Sequence, residues 1–192
     1  MSGGSYFANA GVFLVDTVFG IYLLAVMLRF FLQLVRADFY NPLCQAIVTI
    51  TNPPLRILRR FVPPIRTIDT SSILLMIILQ LTSSYLVVVL LGVAPSPMGL
   101  LVGTIAELLS KTIYLFMFAI LIQIVASWIA PGSYNPILDL LDSLTAPIMR
   151  PARNLLPPMG GIDLSPMLAI IGLTLSLMLI VAPLRDFGRA LL

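Results

Sequence analysis

Four long apolar runs, at about 12–35, 73–93, 108–129 and 167–184, alternate with segments in which prolines, arginines and small polar residues collect. Each run approaches or exceeds the roughly 20 apolar residues an α-helix needs to cross a hydrocarbon core of about 30 Å. The pattern predicts four spanning helices. The fourth run is the shortest and carries Pro183 near its end, so sequence defines that boundary least well.

The segments between paired runs are amphipathic. Asn41-Pro42 and Asn135-Pro136 each set a capping residue before a proline at the first helical position, so both predict helix starts. In the first segment Leu43, Ala46, Ile47 and Ile50 share a face at helical spacing, with Gln45 and Thr49 opposite. In the second, Ile137, Leu140, Leu141 and Leu144 do the same opposite Asp139 and Ser143. Such short helices cannot span and are expected to lie in the membrane interface. Pro53 and Pro147 are expected to end them and to begin a second pair, 53–62 and 147–156, so that the interfacial segments run 41–62 and 135–156. Apolar contact in the first copy's second helix would come from Leu55, Leu58, Phe61 and Val62.

These segments repeat. Asn41, Pro42, Thr51, Pro53, Arg56, Arg59, Pro63, Asp69 and Ser71 recur in order as Asn135, Pro136, Thr145, Pro147, Arg150, Arg153, Pro157, Asp163 and Ser165, at a constant offset of 94 residues. Polar residues and prolines carry the register, so general hydrophobic similarity does not explain it. The chain reads as two copies of one membrane unit, 1–98 and 99–192. With two spans in each, the second copy enters the membrane from the same side as the first. The repeats are therefore expected to be parallel, related by a pseudo-two-fold axis along the membrane normal rather than by the inversion found in many transporters.

Composition agrees. Of 192 residues, 59% are hydrophobic and 10% charged, and the mean hydropathy is +1.07, too little polarity to cover a water-soluble domain. A net charge of +3 is a topological signal because of where it sits. Arg36, Arg56, Arg59, Arg60, Arg66, Arg150 and Arg153 fall on one face, and Lys111, Arg185 and Arg189 towards the other. The expected orientation puts both arginine-rich segments in the cytoplasm and both termini on the far side of the membrane. This distribution does not suggest nucleic-acid binding. Residues 1–10 lack Lys and Arg, and no cleavage site follows, so the first helix is expected to be retained.

Little enzyme chemistry remains open. Cys44 is alone and histidine is absent, which removes an internal disulfide, the commonest metal and haem ligand, and a Ser-His-Asp triad. No phosphate-binding glycine loop, CxxC, HExxH or nucleophile motif is present, and no cofactor is expected. Polar residues in or near the spans include Asp16, Arg29, Gln33, Gln80, Gln123 and Ser127. They fit interhelical hydrogen bonding or, alternatively, an ion or solute path. Asp16 is also a candidate proton or cation site. Glu107 and Lys111 form an i,i+4 pair at the start of the third span, Asp139 and Asp142 read as a solvated helix face, and Ala94 to Gly103 reads as a far-side loop joining the copies. Trp128 fits an interfacial anchor. The arginines fit topology anchors that snorkel, partners for Asp69 and Asp163, or a basic platform for anionic headgroups and a protein partner.

The repeated unit, Asn-Pro, Thr-x-Pro, Arg-x-x-Arg and Pro-Pro followed by Gly160-Gly161-Ile162-Asp163-Leu164-Ser165-Pro166, resembles that of the YggT family over nearly the whole chain. The Arg-x-x-Leu-Ser-Trp pattern that often precedes the Asn-Pro in that family is divided here: the first copy keeps Arg29, and the second has Gln123 with Ser127-Trp128. The first copy has Arg66-Thr67-Ile68-Asp69 where the second keeps Gly-Gly-Ile-Asp, so a role for that motif belongs to the second. The resemblance implies an all-α integral membrane protein of two tandem units without established enzymatic chemistry. It also implies associations with osmotic stress, potassium homeostasis, cell division and, in plastids, cytochrome maturation. The leading expectation is a non-enzymatic inner-membrane scaffold or assembly factor acting with lipid, a membrane-protein partner or a second copy. The rival is a potassium channel or transporter subunit. A third reading, haem handling, would have to ligate through Cys44, a methionine or a tyrosine.

Overall fold

The computed structural model describes residues 3–65, 68–129, 135–156 and 163–191. Its elements are α1 (Gly3–Leu34), α2 (Pro42–Leu58), α3 (Thr70–Leu90), α4 (Pro97–Ile129), α5 (Pro136–Leu155), α6 (Ser165–Ser176), a π-helical turn (Leu177–Val181) and α7 (Ala182–Ala190). Four helices are long and apolar enough to cross a membrane: Tyr6–Leu34, Thr70–Leu90, Pro97–Ile129 and the continuous Ser165–Ala190. The protein is an all-α membrane protein with four transmembrane helices in two tandem repeats.

Helix ends follow local chemistry. The Asn41 side chain accepts from the Leu43 amide and the Asn135 side chain from the Ile137 amide, each at 2.9 Å, which caps α2 and α5 as their sequence predicts. At the end of α1, Arg36 takes a left-handed φ of 55°, while Arg36 N bonds Gln33 O and Ala37 N bonds Leu32 O. Gly92, at φ 73°, closes α3 with the same pair of bonds. Both are Schellman endings, which satisfy carbonyls that the helix leaves open.

Four expectations need correction. The interfacial segments are not pairs of short helices: α2 passes through Pro53 and Pro54, and α5 through Pro147 and Pro151. A buried stripe, Cys44, Ile47, Thr51 and Leu55, runs across the prolines in one helical register, so tertiary packing holds the helix together where backbone bonds are lost. That stripe also replaces the expected apolar face: Leu43 and Ile50 point outward, as does Phe61 beyond the helix end. The far-side loop is shorter than read, because Ser96 accepts from the Gly99 amide and Pro97 opens α4, adding residues 97–107 to the third span. The fourth span continues past Pro183 to Ala190. A π turn immediately before that proline shifts the carbonyls that its ring would otherwise strike.

Within the first copy α1 packs on α3 and α2, and within the second α4 packs on α7, α5 and α6. The copies meet through α3 against α4 and α1 against α5. Leu23, Val26, Met27, Leu75, Met76, Leu115 and Phe116 form the main core with Cys44, Leu55, Leu140 and Leu144 from the amphipathic helices. Phe31 and Phe116 meet edge to face across the copies, centroids 5.2 Å apart. The Asn41 side-chain amide donates to the Pro136 carbonyl at 2.8 Å. This contact sets the equivalent helix starts side by side, as parallel repeats require. Phe7, Phe13, Ile21, Phe118 and Leu179 face outward, and their apolar surface has lipid as its natural solvent.

Candidate functional site

The repeated polar residues converge at one end of the molecule, where each amphipathic helix meets its two spans, and most of them turn inward. In the first copy buried Arg29 donates from Nη1 to Thr51 Oγ1 at 2.8 Å and to the Val48 carbonyl at 3.2 Å. In the second copy, Thr145 donates to Gln123 Oε1 at 3.1 Å, and Gln123 Nε2 donates to Asp142 Oδ1 at 2.6 Å. The same positions make the contact in both copies with the donor reversed. Thr51 and Thr145 also bond the carbonyls of Ile47 and Leu141, one turn back. Asp142 is exposed, as expected of a solvated face, and accepts from Gln123 as well. Partial desolvation, with the nearby Asp139 charge adding to it and Arg153 opposing, raises its carboxyl above the ordinary range.

A second contact joins the end of each amphipathic helix to the start of the following span. Arg59 Nη2 meets Asp69 Oδ2 at 2.5 Å, and Ser72 Oγ donates to the same oxygen at 2.9 Å. Arg153 Nε meets Asp163 Oδ2 at 3.3 Å, and the Ser165 amide donates to Oδ1 at 2.9 Å. Burial opposes ionisation of Asp69, but the Arg59 and Ser72 hydrogen bonds and the Arg59 charge outweigh it and hold the carboxyl below its usual range. Asp163 is also lowered: its weaker burial is outweighed by Ser165 and Arg153. Ser71 Oγ donates to Val62 O at 2.6 Å and Ser165 Oγ to Leu156 O at 2.9 Å, again at equivalent positions.

The Arg-x-x-Arg pairs thus divide. Arg59 and Arg153 turn to a carboxylate, whereas Arg56, Arg60 and Arg150 are exposed, with no carboxylate of the described residues at ion-pair distance. In the second copy the surroundings open into a cleft of about 880 Å³ between α4, α5 and α6, lined among others by Gln123, Ser127, Trp128, Asp142, Arg153, Asp163 and Pro166. Trp128 is exposed at its rim. Ser127 bonds within α4 to the Ile124 carbonyl, and Gln33, its equivalent, is half-buried. Pro157, Gly160 and Gly161, like Arg66, lie outside the described residues.

Asp16 and Gln80 stand apart from this cluster. Leu23, Val26, Met27, Leu75 and Leu115 separate them from Arg29 and Gln123. They line a cavity of about 490 Å³ at the far face, between α1, α3, α4 and α7, with Ser83, Glu107, Lys111, Arg185 and Arg189. The expected Glu107–Lys111 pair is replaced by two contacts across helices. Glu107 Oε1 faces Arg185 Nε at 3.0 Å, an ion pair by distance that is poorly aligned as a hydrogen bond, and Arg185 Nη2 donates to Ser110 Oγ at 3.1 Å. Lys111 Nζ donates to Gln80 Oε1 at 2.7 Å. Sequence reasoning missed this cavity by placing Lys111 at the mouth of its helix. Ser96-Pro97, a capping residue before a proline as at Asn41-Pro42 and Asn135-Pro136, could have revealed it.

The model of the CCB3/YggT family matches the chain twice, at residues 8–90 and 102–184, bounds that keep the offset of the repeated motif. The chain is 45% identical over 175 residues to the uncharacterized protein PA0392 of Pseudomonas aeruginosa, covering 90% of this chain and 89% of that one. It is 36% identical over 185 residues to the uncharacterized protein YggT of Escherichia coli strain K12, covering 96% of each. A shorter relative, the uncharacterized protein ycf19 of Porphyra purpurea, is 37% identical over 78 residues, which are 40% of this chain and 78% of that one. No solved structure matches. Two family matches in register, on two copies that repeat the same interhelical contacts, show that the chain belongs to the CCB3/YggT family.

Proposed function

We propose that the protein is a non-enzymatic scaffold or assembly factor of the bacterial inner membrane, with α2 and α5 held at the cytoplasmic interface. The observation that carries this reading is the division within each Arg-x-x-Arg pair: the inner arginine meets an aspartate, and its outer neighbour stays exposed at the same repeat position. An exposed guanidinium on a helix held at this level can meet lipid phosphates or an acidic partner, each such charge contributing on the order of 1 kcal/mol near an anionic surface. Trp128 and the cleft beside it extend this surface in the second copy. The paired arginines hold the platform in place, and the unpaired ones address the partner, which is a membrane protein or a second copy of the chain. Osmotic and division-linked effects would then follow from the complex assembled on it. A cation path through one protomer is less well supported, because a packed apolar layer separates the two polar clusters and Lys111 and Arg185 occupy the far one. Arg56→Glu combined with Arg150→Glu leaves both ion pairs intact and tests the reading. The expected result is a folded, membrane-inserted protein that loses crosslinks to its partner and no longer supports growth under osmotic stress. Unchanged partner recovery and unchanged growth would refute the proposal.

A further inference from the structure

The far-side cavity breaks the repeat. Where α3 carries Gln80, Ser83 and Ser84, the equivalent positions of the fourth span are Thr174, Leu177 and Met178. Lys111 corresponds to Thr17, and Arg185 to Leu91. Most polar contacts of the near face recur at equivalent positions of the two copies, whereas those of this cavity do not. Helix-to-helix support alone would not need that asymmetry.

Lys111 is the cation of this cavity that has no carboxylate at ion-pair distance among the described residues, since Arg185 is matched by Glu107 and Arg189 by Asp186. Asp16 is not within ion-pair distance of Lys111, and Gln80 takes one of the three ammonium donors. A cation held inside a membrane by a neutral amide, beside open space, favours an anion.

A second cavity gives the anion its chemistry. A groove of about 670 Å³, lined by Leu24, Met27, Tyr114, Phe118 and Leu121, shares Gly20 and Lys111 with the polar cavity. Because α4 runs from Pro97 at the far face towards Ile129 at the near one, Gly99, Gly103 and Glu107 of the polar cavity lie above Lys111, and Leu115, Phe118 and Leu121 of the groove lie below it. From Lys111 to Leu121 the groove runs about 15 Å at the rise of an α-helix, half of a hydrocarbon core of about 30 Å. The polar cavity faces the membrane surface, the apolar groove enters one leaflet, and a lysine stands at their junction.

We propose that this site takes one anionic phospholipid from the leaflet opposite the amphipathic helices, its phosphate on Lys111 and an acyl chain along the groove. The proposal is independent of the scaffold reading, which rests on the other face.

The test is native mass spectrometry of the full chain, delipidated in mild detergent and titrated with phosphatidylglycerol, phosphatidylcholine or inorganic phosphate. One phosphatidylglycerol is expected to bind in preference to phosphatidylcholine, undisplaced by inorganic phosphate. Lys111→Gln removes a charged hydrogen bond and is expected to weaken binding about tenfold or more, with Lys111→Arg restoring it. Gly20→Leu fills the junction, since a Cβ there meets no atom within 4 Å, and is expected to block the lipid with the fold intact. It decides the matter if the lysine variant fails to fold. Equal binding of both lipids, full binding by Gly20→Leu or by a folded Lys111→Gln, or displacement by phosphate alone would overturn the proposal, the last identifying a small-anion site instead.

Discussion

Replacing Arg59 by alanine should cost far more than the same change at its repeat equivalent, Arg153. Asp69 is almost wholly buried, its side chain 1% exposed, and its second oxygen, Oδ1, has no hydrogen-bond partner among the described residues. Removing Arg59 therefore leaves a buried carboxylate with Ser72 as its main support. Breaking a fully buried ion pair from one side costs about 3–5 kcal/mol. The Arg59 side chain is 37% exposed, so solvent already screens part of the pair, and about 2–3 kcal/mol is the reasonable expectation. In the second copy the side chains are 52% and 34% exposed and the separation is 3.3 Å, which places Arg153→Ala at about 0.2–1 kcal/mol. Cys44 provides the readout: it is fully buried on the inner face of α2, and burial raises its thiol pKa, so a thiol reagent reaches it once that helix leaves the spans. Equilibrium unfolding in mixed micelles, followed by Cys44 labelling, should separate the two variants, and a double-mutant cycle with Asp69→Ala should return most of the Arg59 loss as coupling. Equal losses at Arg59 and Arg153, or an Arg59→Ala cost below about 0.5 kcal/mol, would refute the claim that burial makes the first pair the stronger.

Acid should act through the same pairs. The carboxyls of Asp69 and Asp163 are lowered in the folded state, so their stabilisation is complete above the ordinary aspartate pKa of about 3.9 and fades as pH falls through the lowered values. An acid titration of unfolding should show this loss below about pH 4, and Asp69→Asn should flatten it more than Asp163→Asn. Thr51→Val takes an acceptor from buried Arg29 and should cost about 1–3 kcal/mol in micelle unfolding. Thr145→Val should cost less, because Gln123 keeps Asp142. Gly188→Ala places a Cβ 3.0 Å from the Gly103 nitrogen and 3.4 Å from its Cα. Backbone has to yield there, so thermal unfolding should show a loss of about 1–3 kcal/mol and a loosened contact between α4 and α7.

The spans were legible because lipid demands an uninterrupted apolar run, and nothing else in the sequence imitates one. The repeat was legible because its markers are polar. Asn41 and Asn135 also announced their helices, since a cap is satisfied within a few residues. The bond between Arg29 and Thr51 was not legible: it closes over 22 residues and depends on how α2 folds back against α1. Pro53 and Pro147 misled for the same reason, because proline is a local signal for a break while the buried stripe that overrides it is a tertiary one. Lys111, one turn on, was the partner the sequence offered Glu107, and the packing of α7 against α4 brought in Arg185 instead. The pairing of Arg59 and Arg153 with aspartates was foreseen as one of several alternatives, and it is the geometry that divides each pair into an inner and an outer arginine.

Arg56→Cys and Arg150→Cys, made singly in a Cys44→Ala background and labelled with a membrane-impermeant maleimide in sealed vesicles of known orientation, test the central claim most directly. Parallel repeats with both amphipathic helices at the cytoplasmic interface predict that the two thiols label from the cytoplasmic face alone. Labelling from opposite faces would contradict the parallel arrangement, and labelling of both from the other face would contradict the orientation on which the scaffold reading rests.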